Sequence, residues 1–281
     1  MSPLDRIFAT LAANPRQHVP GTKAYLELKA AARVEIEALF RGTGPQPQAF
    51  GPFGHVAMPY TRMGAIDSLD LFGLDELIIF SFYNANRLRY ARALDVGANL
   101  GLHSIILAKC GFEVRAFEPD PTHFAILAAN LKANAATRVQ PFQAAVSTVD
   151  GTMKFVRVLG NTTGSHLSGA KESYGEREMF DVRVIALAPL LEWADLAKID
   201  AEGHEKDLLL AATKRDFAHI DVMVEIGSPA NAQAVFEHLS TIGVGMFPQK
   251  LGWKRARAAS DLPTSHRDGS LFISSKEEMP W

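Results

Sequence analysis

The run from Arg92 to Ala108 restricts the fold more than any other part of the chain. Arg92-Ala93-Leu94-Asp95-Val96 is an apolar stretch carrying one acid. Gly97-Ala98-Asn99-Leu100-Gly101 is a short loop, and Leu102-His103-Ser104-Ile105-Ile106-Leu107-Ala108 brings apolar residues back at helical spacing. This order predicts a buried parallel strand feeding a helix. Gly97 and Gly101 remove Cβ atoms where the backbone must turn sharply or approach a ligand, and the start of the helix offers free N–H groups to an anion. The segment is of nucleotide-binding type, and its ligand should bear a carboxylate or a phosphate.

What the loop lacks narrows that ligand. A phosphate-cradling P-loop needs Gly-x-x-x-x-Gly-Lys-Ser/Thr, and no Lys-Ser or Lys-Thr pair follows here. The dinucleotide fingerprint Gly-x-Gly-x-x-Gly is replaced by Gly97-x-x-x-Gly101, with Asn99 where a close pyrophosphate wants glycine. Asp95 would repel a pyrophosphate but accept a hydrogen bond from an amino-acid ammonium. The next strand, Glu113-Val114-Arg115-Ala116-Phe117-Glu118, again ends in an acid. A carboxylate there, roughly 20 residues beyond the glycine loop, accepts from both ribose hydroxyls in folds of this class. A zwitterion and a ribose diol on one ligand describe S-adenosylmethionine (SAM).

Three segments, Asp95-Val-Gly-Ala-Asn-Leu-Gly101, Ala116-Phe-Glu-Pro119 and Lys198-Ile-Asp-Ala-Glu-Gly-His-Glu205, together resemble the signatures of the FkbM-type SAM-dependent methyltransferases. The likeness runs from about Leu88 to about Gly227. It implies an α/β, Rossmann-like SAM-dependent methyltransferase fold: a mostly parallel seven-stranded sheet with helices on both faces and its last strand antiparallel, here with an N-terminal helical extension. It also implies SAM as cofactor, held by Asp95, Gly97, Ala98, Asn99, Gly101, Glu118 and Pro119, with Gln143 and Ala144 at the adenine edge. The family mostly methylates hydroxyls of sugars, glycolipids and other natural products, which implies a small-molecule acceptor. An Asn/Gly/Ser segment near the acceptor points to Asn161, Ser165 and His166. One departure is Gly227, where many members carry His, so no acceptor-side role of that His carries over.

Composition sets the outer limits. At 281 residues the chain can bury a substantial core as one α/β domain with an extension. Its 29 basic and 31 acidic side chains give a net charge of −2, so bulk electrostatics predict no nucleic-acid partner. The single cysteine, Cys110, permits no intrachain disulfide, fits a reducing compartment and falls in the apolar pattern of a helix, so it reads as core. The N-terminus lacks a basic stretch followed by an apolar run, and the most apolar neighbourhood, Leu71 to Leu88, is broken by Asp75, Glu76 and Asn84. A cytoplasmic protein without a membrane span is expected.

Residues 1–88 read as a helical and hairpin extension, a lid or a homodimer contact, and 89–281 as the SAM-binding domain. Helical periodicity runs to about residue 45 with Leu26, Ala30, Val34 and Leu39 near one face, and Gly42 to Pro47 makes a linker. Phe50 to Met63 reads as a hairpin or irregular segment, with His55 and Tyr60 as packing residues, and Leu71 to Tyr90 as a helix approaching the first strand. From there strands and helices alternate, and ligands in such sheets bind beyond the strand C-termini at the switch point. Met153 to Val158 and Phe180 to Leu187 read as further strands, Leu208 to Asp216 as a helix, and Ser270 to Ser274 as an antiparallel edge. The basic cluster from Lys250 to Arg257 reads as a solvated loop or as a contact for an anionic acceptor. No Cys/His spacing suits zinc.

The fourth core strand, Leu196 to Asp200, and the fifth, His219 to Glu225, both end in acids and should be neighbours. Three readings of Asp200 and Glu225 stay open. One carboxylate orients or deprotonates an acceptor hydroxyl while the other binds substrate; the pair holds a divalent cation; or the two are an N-cap and a solvated strand end. Asp200, Glu202 and His204 are the candidate bases, with Lys198 a partner for a carboxylate. Methyl transfer from a sulfonium is an in-line displacement in which the enzyme chiefly positions the acceptor. A non-catalytic SAM- or nucleotide-binding regulatory subunit and a NAD-dependent oxidoreductase are the rival functions.

Overall fold

Alternating strands and helices from residue 92 onward require a sheet covered on both faces, and the computed structural model, which describes residues 1–42, 44, 46–170 and 175–281, has that architecture. The extension consists of α1 (Pro3–Ala13), α2 (Lys23–Phe40), a short hairpin of β1 (Gln48–Ala49) and β2 (His55–Val56), and α3 (Leu74–Ala85). There follow β3 (Arg92–Val96), α4 (Leu102–Lys109), β4 (Glu113–Phe117), α5 (Pro121–Ala133) and β5 (Val139–Phe142). The chain then leaves this sheet for β6 (Ala145–Ser147), β7 (Gly151–Val158), β8 (His166–Leu167) and β9 (Arg177–Ala186). It returns through α6 (Leu187–Trp193), β10 (Leu196–Ile199), α7 (Glu205–Ala211), β11 (Asp221–Val224), α8 (Pro229–Thr241), β12 (Gly245–Pro248) and β13 (Leu271–Ser274).

The seven-stranded sheet has the order β12-β13-β11-β10-β3-β4-β5. Pairings from β11 to β5 are parallel, and β13 runs antiparallel to both neighbours. The last strand is therefore antiparallel, but it is inserted between β11 and β12 instead of forming the edge expected of it. A second, four-stranded sheet of order β6-β9-β7-β8 stands beside the strand C-termini.

Strand alternation divides the core in two. Ala93, Leu196 and Met223 face a cluster built from α1, α2, α3 and α4, whereas Leu94, Ala197, Ile199 and Val222 face α6, α7 and α8. The extension thus packs on one face of the sheet. A buried polar knot fixes it there: His18 Nε2 meets the Leu11 carbonyl at 2.9 Å, Trp253 Nε1–H donates to His18 Nδ1 at 2.8 Å, and Gln249 donates to Asp75 at 2.6 Å. Burial pushes the His18 imidazole down to about 4, which keeps it neutral in both roles.

The expected apolar face of α2 is not the one buried. Tyr25, Ala32, Ile36 and Phe40 face the core, while Leu26 and Val34 are 54% and 65% exposed. Aromatic packing decides the rotation: Phe40 stacks on Phe72 at 4.5 Å, and the Tyr25 hydroxyl donates to Asp75 at 2.7 Å. The helix expected over Leu208 to Asp216 begins earlier, at Glu205, and ends at Ala211. Thr43 and Pro45 of the expected linker lie outside the described residues. Among the described residues no helix is long and apolar enough to cross a membrane.

Candidate active site

The strand register lines up the site. Val96 pairs with Ile199 and Phe117, and Ile199 pairs with Val224. One residue further along these four strands stand Gly97, Glu118, Asp200 and Glu225, level at the carboxyl edge of the sheet. Asp95 and Lys198 are themselves register partners on the face toward α3 and α4.

The glycine loop is shaped for close approach. Gly97 has φ +78°, and a Cβ on it would overlap the backbone carbonyl oxygen of Asp200. Gly101 has φ +88° and precedes the first turn of α4. The N–H groups of Gly97 and Ala98 donate to the Phe117 carbonyl at 3.0 and 2.9 Å, which locks the loop to β4. Asn99, at φ +51°, donates its N–H to Glu118 Oε2 at 2.8 Å. The Asp120 N–H occupies Oε1 at 2.8 Å. Burial, and then the charges of Asp120 and Asp95, push the Glu118 carboxyl up to about 8 against those two N–H donors. Asp95 is fully buried and accepts from the Ser104 hydroxyl at 2.5 Å. Asp95 Oδ1 and Asn99 Oδ1 are buried acceptors with no hydrogen-bond partner.

Three clefts meet at Asp200. The first, about 610 Å³, runs past Gly97, Asn99, Phe117, Glu118 and Pro119 to Ala145 and Val146, and is roofed by Phe155, Ser165 and His166 of the second sheet. The second is narrow and lies between the glycine loop and α3, bordered by Glu76, His103, Lys198 and Asp200. The third, about 1380 Å³, is bounded by Ile66, Asn161, Thr163, Asp200, Glu202, Glu205, Glu225 and Asn231.

Lys198 organises the charge between them. Its ammonium lies 3.2 Å from Asp200 Oδ2. Burial works against that charge, but Asp200, Asp95, Glu76 and Glu225 outweigh it and hold the lysine pKa above its usual range. Burial, then Asp200 and Glu76, raise the Glu225 carboxyl well above the ordinary carboxylate range. Glu76 reaches His103 Nε2 at 2.7 Å, and His103 Nδ1 meets the Tyr83 hydroxyl at 3.1 Å. Two further contacts close the site. Arg157 grips Asp120 through two 2.6 Å bonds, tying β7 to the N-cap of α5, and the Ala65 N–H donates to the Gly160 carbonyl at 2.7 Å, laying residues 63–66 of the extension over 160–162.

The structure brings together Gly97, Asn99, Glu118, Pro119, Asp200 and Glu202 in the first cleft, and Asn161, Glu202 and Glu225 in the third. Ser165 and His166 border the first cleft, not the third; Ser165 Oγ accepts from Val158 N–H at 3.1 Å, and His166 Nδ1 meets the Gly164 carbonyl at 3.0 Å. Gln143 is exposed and Ala144 buried, and neither lines a cleft; the strand ends one residue before Gln143, and Ala145 and Val146 line the first cleft instead. His204 caps α7, 3.2 Å from Ser147 and 3.3 Å from Asp207, away from the clefts. Asp200 and Glu225 do lie side by side, but the cation beside Asp200 is Lys198, and among the described residues no group of three or more His, Cys, Asp or Glu side chains could hold a metal ion. Glu76 and His103 escaped the sequence reading. The signal available was the pair of acids, Asp75 and Glu76, at the start of the apolar run of α3. In the basic cluster, Lys250 is tied to the carbonyls of Ser260 and Leu262 at 3.0 and 2.6 Å.

Residues 95–247, more than half of the chain, match the family model described as the methyltransferase FkbM domain. The chain belongs to the FkbM methyltransferase family. It is a SAM-dependent methyltransferase, and the family model spans both the glycine loop and the acidic edge at Asp200 and Glu225. No curated protein matches the sequence. Among solved structures the chain is similar to a SAM-dependent methyltransferase from Agrobacterium tumefaciens, with 10% identity over 83% of this chain and 71% of that one and a TM-score of 0.44. It is also similar to a precorrin-6y C5,15-methyltransferase from Geobacter metallireducens (13%, 68% and 82%, TM-score 0.37) and to an O-methyltransferase from Bacillus cereus in complex with SAH (11%, 69% and 78%, TM-score 0.37).

The residues present fit SAM. The unpartnered Asn99 Oδ1, on the wall shared by the first and second clefts, is an acceptor suited to an ammonium. The absent Cβ at Gly97 leaves room for close approach, and Glu118 is the carboxyl suited to a diol.

Proposed function

We propose that the protein is an O-methyltransferase acting on a hydroxyl of a small polyhydroxylated acceptor, a sugar or glycolipid. The observation that carries this reading is the position of Asp200, which borders both the first cleft and the larger third cleft and is held by Lys198 at 3.2 Å. When bound, SAM supplies an electrophilic methyl group. In this reading the first cleft holds the adenosine end, with Glu118 on the ribose hydroxyls and Phe117 and Val146 beside the base. Asn99 and the second cleft take the amino-acid end.

The acceptor enters the third cleft. A sugar hydroxyl is a weak nucleophile at neutral pH, so a carboxylate that accepts its hydrogen bond both aims the oxygen lone pair and receives the proton. Asp200 takes that role in this reading, at the junction of the clefts and 3.2 Å from the Lys198 ammonium. Glu202, at φ +49°, borders the same junction and orients a neighbouring hydroxyl. In this reading the strap formed by Met63 to Ile66, bonded to Gly160 and Thr162, forms one border of the acceptor cleft through Ile66 and Asn161.

The test is Asp200→Asn. Turnover with an accepted hydroxyl substrate should fall by ~10²–10⁴, the usual range for losing a general base, while SAH still binds. Full turnover in this variant would remove the proposed role.

A further inference from the structure

The second cleft has a wall that the proposed reaction leaves unused. It holds about 320 Å³ between the glycine loop and α3, against about 610 Å³ for the first cleft, and its polar border is Glu76, Asn99, His103, Lys198 and Asp200. Lys198 and Asp200 are paired with each other at 3.2 Å. Asn99 Oδ1 is a buried acceptor without a partner, and so is Oδ1 of Asp95, a wholly buried residue in register with Lys198. An open buried acceptor on the border of a cavity calls for a donor from outside the chain.

Glu76 faces Asn99 from the other wall. It enters on α3, in the extension, outside residues 95–247 that match the FkbM domain. Its Oε2 meets His103 Nε2 at 2.7 Å, and His103 Nδ1 meets the Tyr83 hydroxyl at 3.1 Å. The imidazole is thus fixed at both nitrogens, and the carboxylate is fixed with it. Glu76 Oε1 makes no hydrogen bond with any described residue. Burial works against the charge, but His103 and Lys198 outweigh it and hold the Glu76 carboxyl below its ordinary range. An ionised oxygen held in place on the same narrow cleft as Asn99 Oδ1 makes a pair of acceptors for a cation with several donors.

We propose that Glu76, with Asn99, binds the ammonium of the cofactor's amino-acid end, so that the N-terminal extension supplies one wall of that subsite. This rests on the reading of the first two clefts as the SAM site, and adds the group that tells an amine-bearing cofactor from a bare thioether nucleoside. An ammonium has three donors, enough for Glu76 Oε1 and Asn99 Oδ1 at once. His103 and Tyr83 are positioning residues that act through Glu76.

The test is calorimetry with three ligands that share the nucleoside and the thioether: SAH, its analogue lacking only the amine, and 5′-methylthioadenosine, which lacks the whole amino-acid end. The wild-type protein should bind SAH at least about tenfold tighter than the amine-free analogue, and Glu76→Gln should lose a similar factor for SAH while its affinity for 5′-methylthioadenosine stays within about twofold. Because both changes remove one contact, Glu76→Gln should discriminate SAH from the amine-free analogue less than the wild type does. Tyr83→Phe, which frees His103 on one side, should weaken SAH less than Glu76→Gln and again spare 5′-methylthioadenosine. Equal binding of SAH and the amine-free analogue by the wild type overturns the proposal whether or not a variant folds. So does a Glu76→Gln protein of unchanged thermal midpoint that keeps full SAH affinity, or that loses SAH and 5′-methylthioadenosine alike, the mark of a purely structural role. Failure of the wild type to bind SAH at all would instead strike the cofactor reading beneath the proposal.

Discussion

The proposed contact of Glu118 with the ribose predicts that cofactor binding depends on pH. In the free protein its carboxyl sits at about 8, because burial outweighs the two N–H bonds from Asn99 and Asp120. A ribose diol donates to the ionised form, so binding requires the proton to leave. Affinity should therefore rise with pH up to about 8 and level off above it. At pH 6 the ionised fraction is about one in a hundred, which weakens binding roughly 100-fold, or ~2.7 kcal/mol at ~1.36 per pH unit. Calorimetry with SAH at pH 6, 7, 8 and 9, in buffers of different ionisation enthalpy, should give that slope and close to one proton released per ligand below pH 7. Glu118→Gln should bind more weakly and without the slope. An affinity flat from pH 6 to 9 with no proton release would refute the assignment of Glu118 to the ribose.

Four further outcomes follow from the geometry. Gly97→Ala places a Cβ on the Asp200 carbonyl at a positive φ, and should cost at least ~2 kcal/mol and abolish SAH binding in a thermal-shift titration. Arg157→Met leaves Asp120, 1% exposed, without its guanidinium; a loss of ~3–5 kcal/mol in denaturant unfolding is expected, with weakened SAH binding as β7 loosens. Lys198→Met removes the cation that stands beside Asp200 and bears on Glu225, so kcat in a methyl-transfer assay should fall while SAH affinity is retained. His18, neutral in the fold with its pKa lowered to about 4 from 6.5, binds a proton more readily when unfolded; stability should be full above pH 6.5 and drop by ~3 kcal/mol as pH falls to 4, as read by urea unfolding.

The parallel sheet and the cofactor loop were legible because their signals are local. Asp95 to Gly101 and Ala116 to Pro119 state in a few residues both a turn and the ligand chemistry beside it. The level alignment of Gly97, Glu118, Asp200 and Glu225 follows from strand ends that each close on an acid or a glycine. Signals spread over distance were not legible. The buried face of α2 was set by aromatic partners, Phe72 for Phe40 and Asp75 for Tyr25, that lie more than thirty residues away in sequence. Glu76 meets His103 only because α3 packs on the face of the sheet that carries Lys198. Gln143 and Ala144 follow directly on the end of β5 and line no cleft, whereas Ala145 and Val146 do, and strand ends are the least determined feature of a sequence.

The most direct test of the central claim is a calorimetric titration of the purified protein with SAM, SAH and NAD, with Glu118→Ala alongside. One molecule of SAM or SAH per chain at micromolar affinity, lost in Glu118→Ala, with no binding of NAD, is the expected result. Binding of NAD without either sulfur ligand would contradict it and return the glycine loop to a dinucleotide.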